Sequence, residues 1–370
     1  MSNTKPTHHV ATSPHLADAK FTTRRMMTDV LIALLPLVIF SIYIYRQYAV
    51  QQILTCVSAC ALTELLFSMA RGKAFSLRDG SAVVTGVILA LTFPWSTPLH
   101  VAIIASAIAV ACGKMVFGGV GMNLFNPAMV GRAFVMLAFA SALGSVGYIG
   151  DDGKTVPNPD VAMPWLVDMG VLPKDVAQKS TEETASVTAV SGATTMSSAT
   201  PMGANKKRET AARKGETAGF VTKIMPLVIG THLGSLGEVS AIGCLLGGLF
   251  LLIRRTAAWQ IPLGMIVGAG LIAAILQAMD PSSPWTIGHE LCGGALLFGA
   301  FFIATDPVTS PLTSKGRFLF GLGIGLLTMV IRKLSGYPEG VMFAVLLMNA
   351  IVPLINRWTI PAPFGAEKKA

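Results

Sequence analysis

The sequence predicts an all-α polytopic membrane protein with about ten transmembrane helices, each drawn from an apolar run close to the ~17–25 residues a span needs. The expected arrangement is two inverted five-helix repeats with a long extracytoplasmic loop between them. Three observations carry this. Hydrophobic residues make up 52% of the chain and charged residues only 13%, against about 25% charged in ordinary soluble domains. The apolar runs are continuous and do not alternate with period two, which excludes a β-barrel. Basic residues gather in the tails and the short connections between runs, as membrane topology requires.

Residues 1–28 form a polar tail with Lys20, Arg24 and Arg25 just ahead of the first run. No small-residue cleavage site follows that run, so it reads as a span and not as a cleaved leader. Spans are expected at about 29–46, 48–70, 80–96, 98–117 and 129–147, which together make a first repeat over 29–147. A polar segment at 148–236 follows, whose last part, 221–236, reads as an interfacial helix or a re-entrant piece. Five further spans are expected at about 237–254, 258–279, 285–304, 316–334 and 339–356, forming a second repeat over 237–356, before a tail at 357–370. The third runs of the two halves, GSAVVTGVILALTFPWSTP and GGALLFGAFFIATDPVTSP, share small residues and a proline-terminated end. Because five is odd the halves would be inverted, and broken segments in corresponding positions point to a site near the midplane.

With the N-terminus cytoplasmic, Arg71, Lys73, Arg78, Lys114, Arg132, Arg254, Arg255, Lys315, Arg317 and Arg357 all fall on the cytoplasmic side. Arg332 and Lys333 are exceptions. The polar segment then lies outside, with both tails inside a bacterial cytoplasmic membrane. The formal charge of +9 is spent on this topology, and no aromatic-interleaved basic patch suggests nucleic acid. The partner implied by composition is membrane lipid.

The five cysteines, Cys56, Cys60, Cys112, Cys244 and Cys292, sit in or beside apolar runs without the His or Cys partners of a metal set. No metal site and no catalytic residue is expected. Acidic residues at membrane depth are costly and default to function. Glu64 is the deepest and is the candidate for an ion pathway. Asp79, Glu290, Asp306 and Glu339 lie at span ends, where helix capping or pairing with arginine competes with function. GGVGMNLFNPAMVGR, with Asn123, Asn126 and Pro127, reads as an irregular turn exposing backbone to a ligand or as a plain Asn-Pro turn. It lacks the strand and spacing of a dinucleotide fingerprint. In the polar segment, AVSGATTMSSATPMG holds two similar tetrapeptides ending at Thr194 and Thr200. Composition alone makes it a Ser/Thr linker, and a threonine hydroxyl without a neighbouring base would need another enzyme to modify it.

Taken together, the Ser-x-Ala-Thr sites, SLRDGSAVVTG, GGVGMNLFNPAMVGRAF, FFIATDPVTSP and GYPEGVMFAVLLMNAIVPLI resemble one family over about residues 20–358. It comprises the D subunit of the Rnf electron-transport complex and the B subunit of the Na⁺-translocating NADH:quinone oxidoreductase. FNPAM and GYPEGV look more like the Rnf subunit, and GRAF like the quinone reductase subunit. The resemblance implies a flavin-carrying subunit that couples electron transfer between ferredoxin and NAD(H) to Na⁺ or H⁺ translocation. It implies FMN joined through its phosphate to a threonine in the outer loop, with Thr200 preferred on its Ala-Thr-Pro-Met ending and Thr194 the alternative. The family's acidic residue six positions earlier is replaced here by Thr188 or Thr194. A noncovalent riboflavin is also implied, with Asn126, Asp79 and Asp306 as candidates for its pocket. Partners implied are the other subunits of the complex and a flavin transferase for maturation. The reading from a different class is a flavin-free solute channel or secondary transporter, and a third is a membrane anchor for a redox partner.

Overall fold

The computed structural model describes residues 22–72, 79–95, 97–139, 224–229, 235–238, 240–281, 283, 285–335 and 339–361, with isolated positions at 143, 148–149, 155–156 and 202. Among them the chain is helical apart from a two-residue antiparallel pair, Tyr148–Ile149 with Thr155–Val156.

The first half holds α1 (Thr23–Tyr45), α2 (Gln47–Ala70), α3 (Ser81–Thr92), α4 (Leu99–Val110) and α5 (Pro127–Ala138). A short α6 (Ile224–Ile229) leads to the second half: α7 (Ala241–Ile253), α8 (Gln260–Met279), α9 (Ile287–Cys292), α10 (Leu296–Phe298), α11 (Ser314–Leu334) and α12 (Val341–Thr359). Four of these, α1, α2, α8 and α12, are long and apolar enough to cross a membrane by length and composition. Their outward faces stay apolar: Leu62 and Leu66 on α2 are 57% and 56% exposed, while Glu64 between them is 0% exposed. That inversion, grease outward and charge inward, is what a lipid solvent selects.

Start signals are those expected from local chemistry. Thr22 caps α1 by accepting from Arg25 N–H at 3.2 Å. Asn126 caps α5 by accepting from Ala128 N–H at 3.1 Å and Met129 N–H at 3.4 Å, with Pro127 at the first helical position. Ser240 and Thr313 do the same for α7 and α11.

Two expected spans are not continuous. The run at 80–96 stops at Thr92, because Pro94 biases Phe93 out of the helical region. The carbonyls left over are taken by chain from far away: Gly237 N–H donates to Leu91 O at 2.6 Å and Leu236 N–H to Phe93 O at 3.0 Å. The Ser41 hydroxyl on α1 holds Leu236 O from the other side. Residues 235–238 are therefore packed into the bundle. The run at 285–304 breaks at Gly293–Gly294, where Gly294 takes φ +69° and a side chain would collide with the Glu339 carboxylate. After the break α10 passes into a π-helical turn, Gly299–Ile303. The run at 98–117 also changes character, as α4 continues into a second π turn, Ala111–Met115.

The tightest helix pair is α8 with α11. Gly264 and Gly268 on one face Gly321 and Gly325 on the other, and a Cβ at any of them would strike the partner's backbone. Two small-xxx-small faces let the backbones touch, the usual device for helix association where lipid offers no hydrophobic drive.

Candidate functional site: a cavity at one end of the bundle

A cavity opens where α1, α3 and α5 begin and α7 ends, enclosing about 820 Å³ of non-atom space counting its mouth. Its walls are mostly apolar: Met27 and Val30 from α1, Val84 and Ile88 from α3, Leu251 from α7, and Phe302 from the π turn after α10. Thr85, Asn123, Asn126, Thr305, Asp306 and Lys114 supply the polar groups. Both π turns end at this cavity, one carrying Lys114 and the other Phe302. A π turn inserts an extra residue and re-aims the side chains after it, and such turns recur at functional sites.

The sequence candidates fall around this space in different ways. Asn126 lines it, but most of its amide is committed elsewhere: the oxygen caps α5, and Nδ2 donates to Ile303 O at 3.2 Å, tying α5 to the π turn after α10. Asp306 lines it too, with one carboxylate oxygen accepting from Val308 N–H at 3.1 Å and the other from the Thr309 hydroxyl at 3.3 Å. Burial pushes the Asp306 carboxyl up, opposed by those two hydrogen bonds. Asp79 is one bond removed from the lining: its Oδ1 accepts from Ser81 N–H at 2.8 Å and from Ser81 Oγ at 2.6 Å. Ser81 itself lines the cavity. Thr194 and Thr200 lie outside the described residues.

Glu64 does not face the cavity directly. Lys114 stands between, its Nζ 2.8 Å from Glu64 Oε2 and 2.5 Å from Ser81 Oγ, with both ends of the ion pair buried. An ammonium has three N–H donors. The third meets no protein acceptor among the described residues, and the side chain lines the cavity. Lys114 reads in the sequence as a topology marker; the signal of a second role is its place inside the apolar run AVACGKMVF, where a cation is as costly as an acid. Asp29 is a further buried acid that the sequence pattern does not single out. It is 4% exposed, and ties α1 to the end of α7 by accepting from Arg254 Nη2 at 3.0 Å and from the Thr256 hydroxyl at 3.0 Å.

The remaining acids meet at the other end. Arg332 donates through Nη1 to Glu290 O at 2.7 Å and to Glu290 Oε2 at 3.4 Å, and through Nη2 to Gly293 O at 3.0 Å and Glu339 Oε2 at 3.4 Å. Lys333 adds a 2.9 Å contact to Glu290 Oε1. Arg332 lies near the far end of α11 from Ser314, roughly 27 Å along the helix at ~1.5 Å per residue. Arg332 and Lys333, the two exceptions to the topology rule, are thus neutralised within the protein. Met202 is buried at this same end, its thioether against Gly293.

The residues around the cavity suit a flat, largely apolar ring system with hydrogen-bonding atoms on its rim: broad aliphatic and aromatic walls, a few convergent polar groups, and one ammonium N–H without a protein partner among the described residues. Among those residues, no three His, Cys, Asp or Glu side chains group to hold a metal ion.

The sequence pattern of the NQR2, RnfD, RnfE family matches residues 9–365. The chain is 37% identical over 355 residues to the D subunit of an ion-translocating oxidoreductase complex of Stutzerimonas stutzeri, covering 93% of each. It is 33% identical over 359 residues to the D subunit of a proton-translocating ferredoxin:NAD(+) oxidoreductase complex of Clostridium ljungdahlii, covering 97% of this chain and 96% of the relative. It is also 33% identical over 361 residues to the D subunit of a Na(+)-translocating ferredoxin:NAD(+) oxidoreductase complex of Acetobacterium woodii, with the same coverage.

Proposed function

The chain belongs to the NQR2, RnfD, RnfE family, and on that premise we propose that it is the D subunit of an Rnf-type complex, coupling electron transfer between ferredoxin and NAD(H) to movement of Na⁺ or H⁺. Relatives named for each of the two ions support the class of reaction. The observation that carries the site is the cavity, with apolar walls and the spare N–H of Lys114.

In this reading the cavity holds a noncovalent flavin such as riboflavin, which supplies reversible electron storage. The protein supplies position and electrostatics. Val84, Ile88 and Phe302 enclose the ring and exclude water, Asn123 and Thr305 offer rim contacts, and Lys114 presents a positive charge. Asn126 and Asp306 hold the wall in shape, Asn126 by capping α5 and bonding Ile303 O and Asp306 by closing the turn to Val308 and Thr309. Glu64 is the residue we assign to the ion pathway; a cation reaching it competes with the Lys114 ammonium.

The second flavin, FMN in phosphoester linkage, belongs on Thr200, with Thr194 the alternative. Support for Thr200 comes from Met202, two residues on and buried at the end of the bundle away from the cavity. Two flavins at opposite ends give electrons a route across the membrane. The cavity end faces the cytoplasm in this reading, because the basic helix ends, Arg71, Arg254, Arg255, Arg317 and Arg357, follow from one consistent threading. The remaining partners are the other subunits, a flavin transferase and surrounding lipid.

The test uses the assembled complex, purified from a host with the transferase. Acid precipitation should release one flavin and leave another on the protein, and peptide mass spectrometry over 180–215 should find an FMN-sized addition. Thr200→Val should remove it and Thr194→Val should not. The reverse result moves the attachment to Thr194, and retention in the double variant refutes the covalent reading. A spectrum without flavin bands favours a channel or secondary transporter instead.

A further inference from the structure

We propose that Lys114, Ser81 and Asp79 form a proton relay between the cavity and the protein surface at the head of α3. The inference rests on the flavin reading of the cavity and adds what the residues beside the ring do. Lys114 Nζ lies 2.5 Å from Ser81 Oγ, and Ser81 Oγ lies 2.6 Å from Asp79 Oδ1. All the donations run one way, from ammonium to hydroxyl to carboxylate. Ser81 is 6% exposed and Lys114 2% exposed, whereas Asp79 is half-buried. The chain of bonds thus leads from the cavity wall toward water.

A structural ion pair accounts for only part of this. Holding Lys114 against Glu64 needs one N–H, and capping α3 needs only the Ser81 N–H on Asp79. The Ser81 hydroxyl joining the two is surplus to both tasks. So is the third ammonium N–H, which has no protein acceptor among the described residues while its side chain lines the cavity. Glu64 is the positioning residue: it fixes the ammonium from the α2 side.

With a flavin bound and reduced by the complex's donor, Lys114 would give it a proton through that third N–H, the Nζ–H bond breaking as the proton passes to a basic ring atom. Solvent protonates Asp79; the Ser81 hydroxyl then turns, passes its proton to Nζ and takes the one on Asp79, which returns to a carboxylate. One proton enters per passage, and no electron resides on the three side chains. Release runs in the direction the resting bonds already point. The other groups facing Lys114 are Glu64 and Cys60 from α2, and Asp306, from the loop after the second π turn, shares the cavity lining with it.

The assembled complex tests this with wild type, Ser81→Ala, Asp79→Asn and Lys114→Met. Noncovalent flavin content is measured first, by acid extraction. Proton uptake after rapid reduction is then followed with a pH indicator, alongside the pH dependence of the flavin's midpoint potential. Ser81→Ala should keep its flavin and slow uptake roughly a hundredfold, the low end of what a positioned proton donor contributes. Lys114→Met should slow uptake at least as far, while the pH dependence of the potential, an equilibrium property, keeps its slope. Wild-type uptake in Ser81→Ala overturns the relay while leaving the flavin reading intact. If Ser81→Ala loses its flavin, Asp79→Asn, which is not on the lining, decides: slowed uptake supports the relay and unchanged uptake overturns it. Wild type without noncovalent flavin overturns the cavity reading and the relay together.

Discussion

Lys114 with Glu64 at one end of the bundle and Arg332 with Glu290 and Glu339 at the other use the same chemistry, a buried cation among carboxylates, and differ in what lies beside them. Arg332 is enclosed by protein, its two outer nitrogens spent on two carbonyls and two acids. Lys114 makes two bonds among the described residues and lines a cavity. A cation walled in by its acceptors is a fastening. One with a donor facing a cavity can exchange its partner without unfolding anything.

Arg332→Met should cost the most, roughly 3–5 kcal/mol, because it takes the guanidinium from two carboxylates and leaves Glu290 only Lys333; thermal unfolding in detergent reads it. Adding Glu290→Gln and Glu339→Gln should restore much of that loss, and no restoration would mean the acids are not what Arg332 holds. Lys114→Met should cost less, about 1–3 kcal/mol, since water or a cation entering from the cavity can serve Glu64. Sodium should therefore raise the melting temperature of Lys114→Met more than that of Arg332→Met. An equal sodium response would erase the distinction between the two ends. Lys333→Ala should cost least, under ~1 kcal/mol, its side chain being 22% exposed.

What is readable in the sequence follows the range of the interactions. Helices are legible because an apolar run of the right length has few alternatives in lipid. The break after α3 is half legible: Pro94 marks where the helix stops, but nothing near it announces that residues 236 and 237 will satisfy the carbonyls left behind. Asn126 and Asp306 stand out as polar residues near membrane depth, and the structure brings both to one cavity. It also shows each engaged in local backbone bonding, Asn126 capping α5 and Asp306 closing a turn. Lys114 is hidden because a lysine near a span end looks like a topology signal. Arg332 and Lys333 break the topology rule, and that breach is itself the sequence's notice of a buried pair.

The clasp on α3 bears on how the protein is made. Gly237 leaves the ribosome roughly 150 residues after Leu91, which at ~5–20 residues per second is on the order of 10–30 s. Until then α3 is a helix too short to span, with its last carbonyls exposed to whatever surrounds it. Its insertion is provisional: the first half of the protein waits in the membrane for a strip of the second half to arrive and finish it. A chain truncated before residue 235 would lack the donors that end α3, so the two halves are one unit of biosynthesis even where their helices look separable.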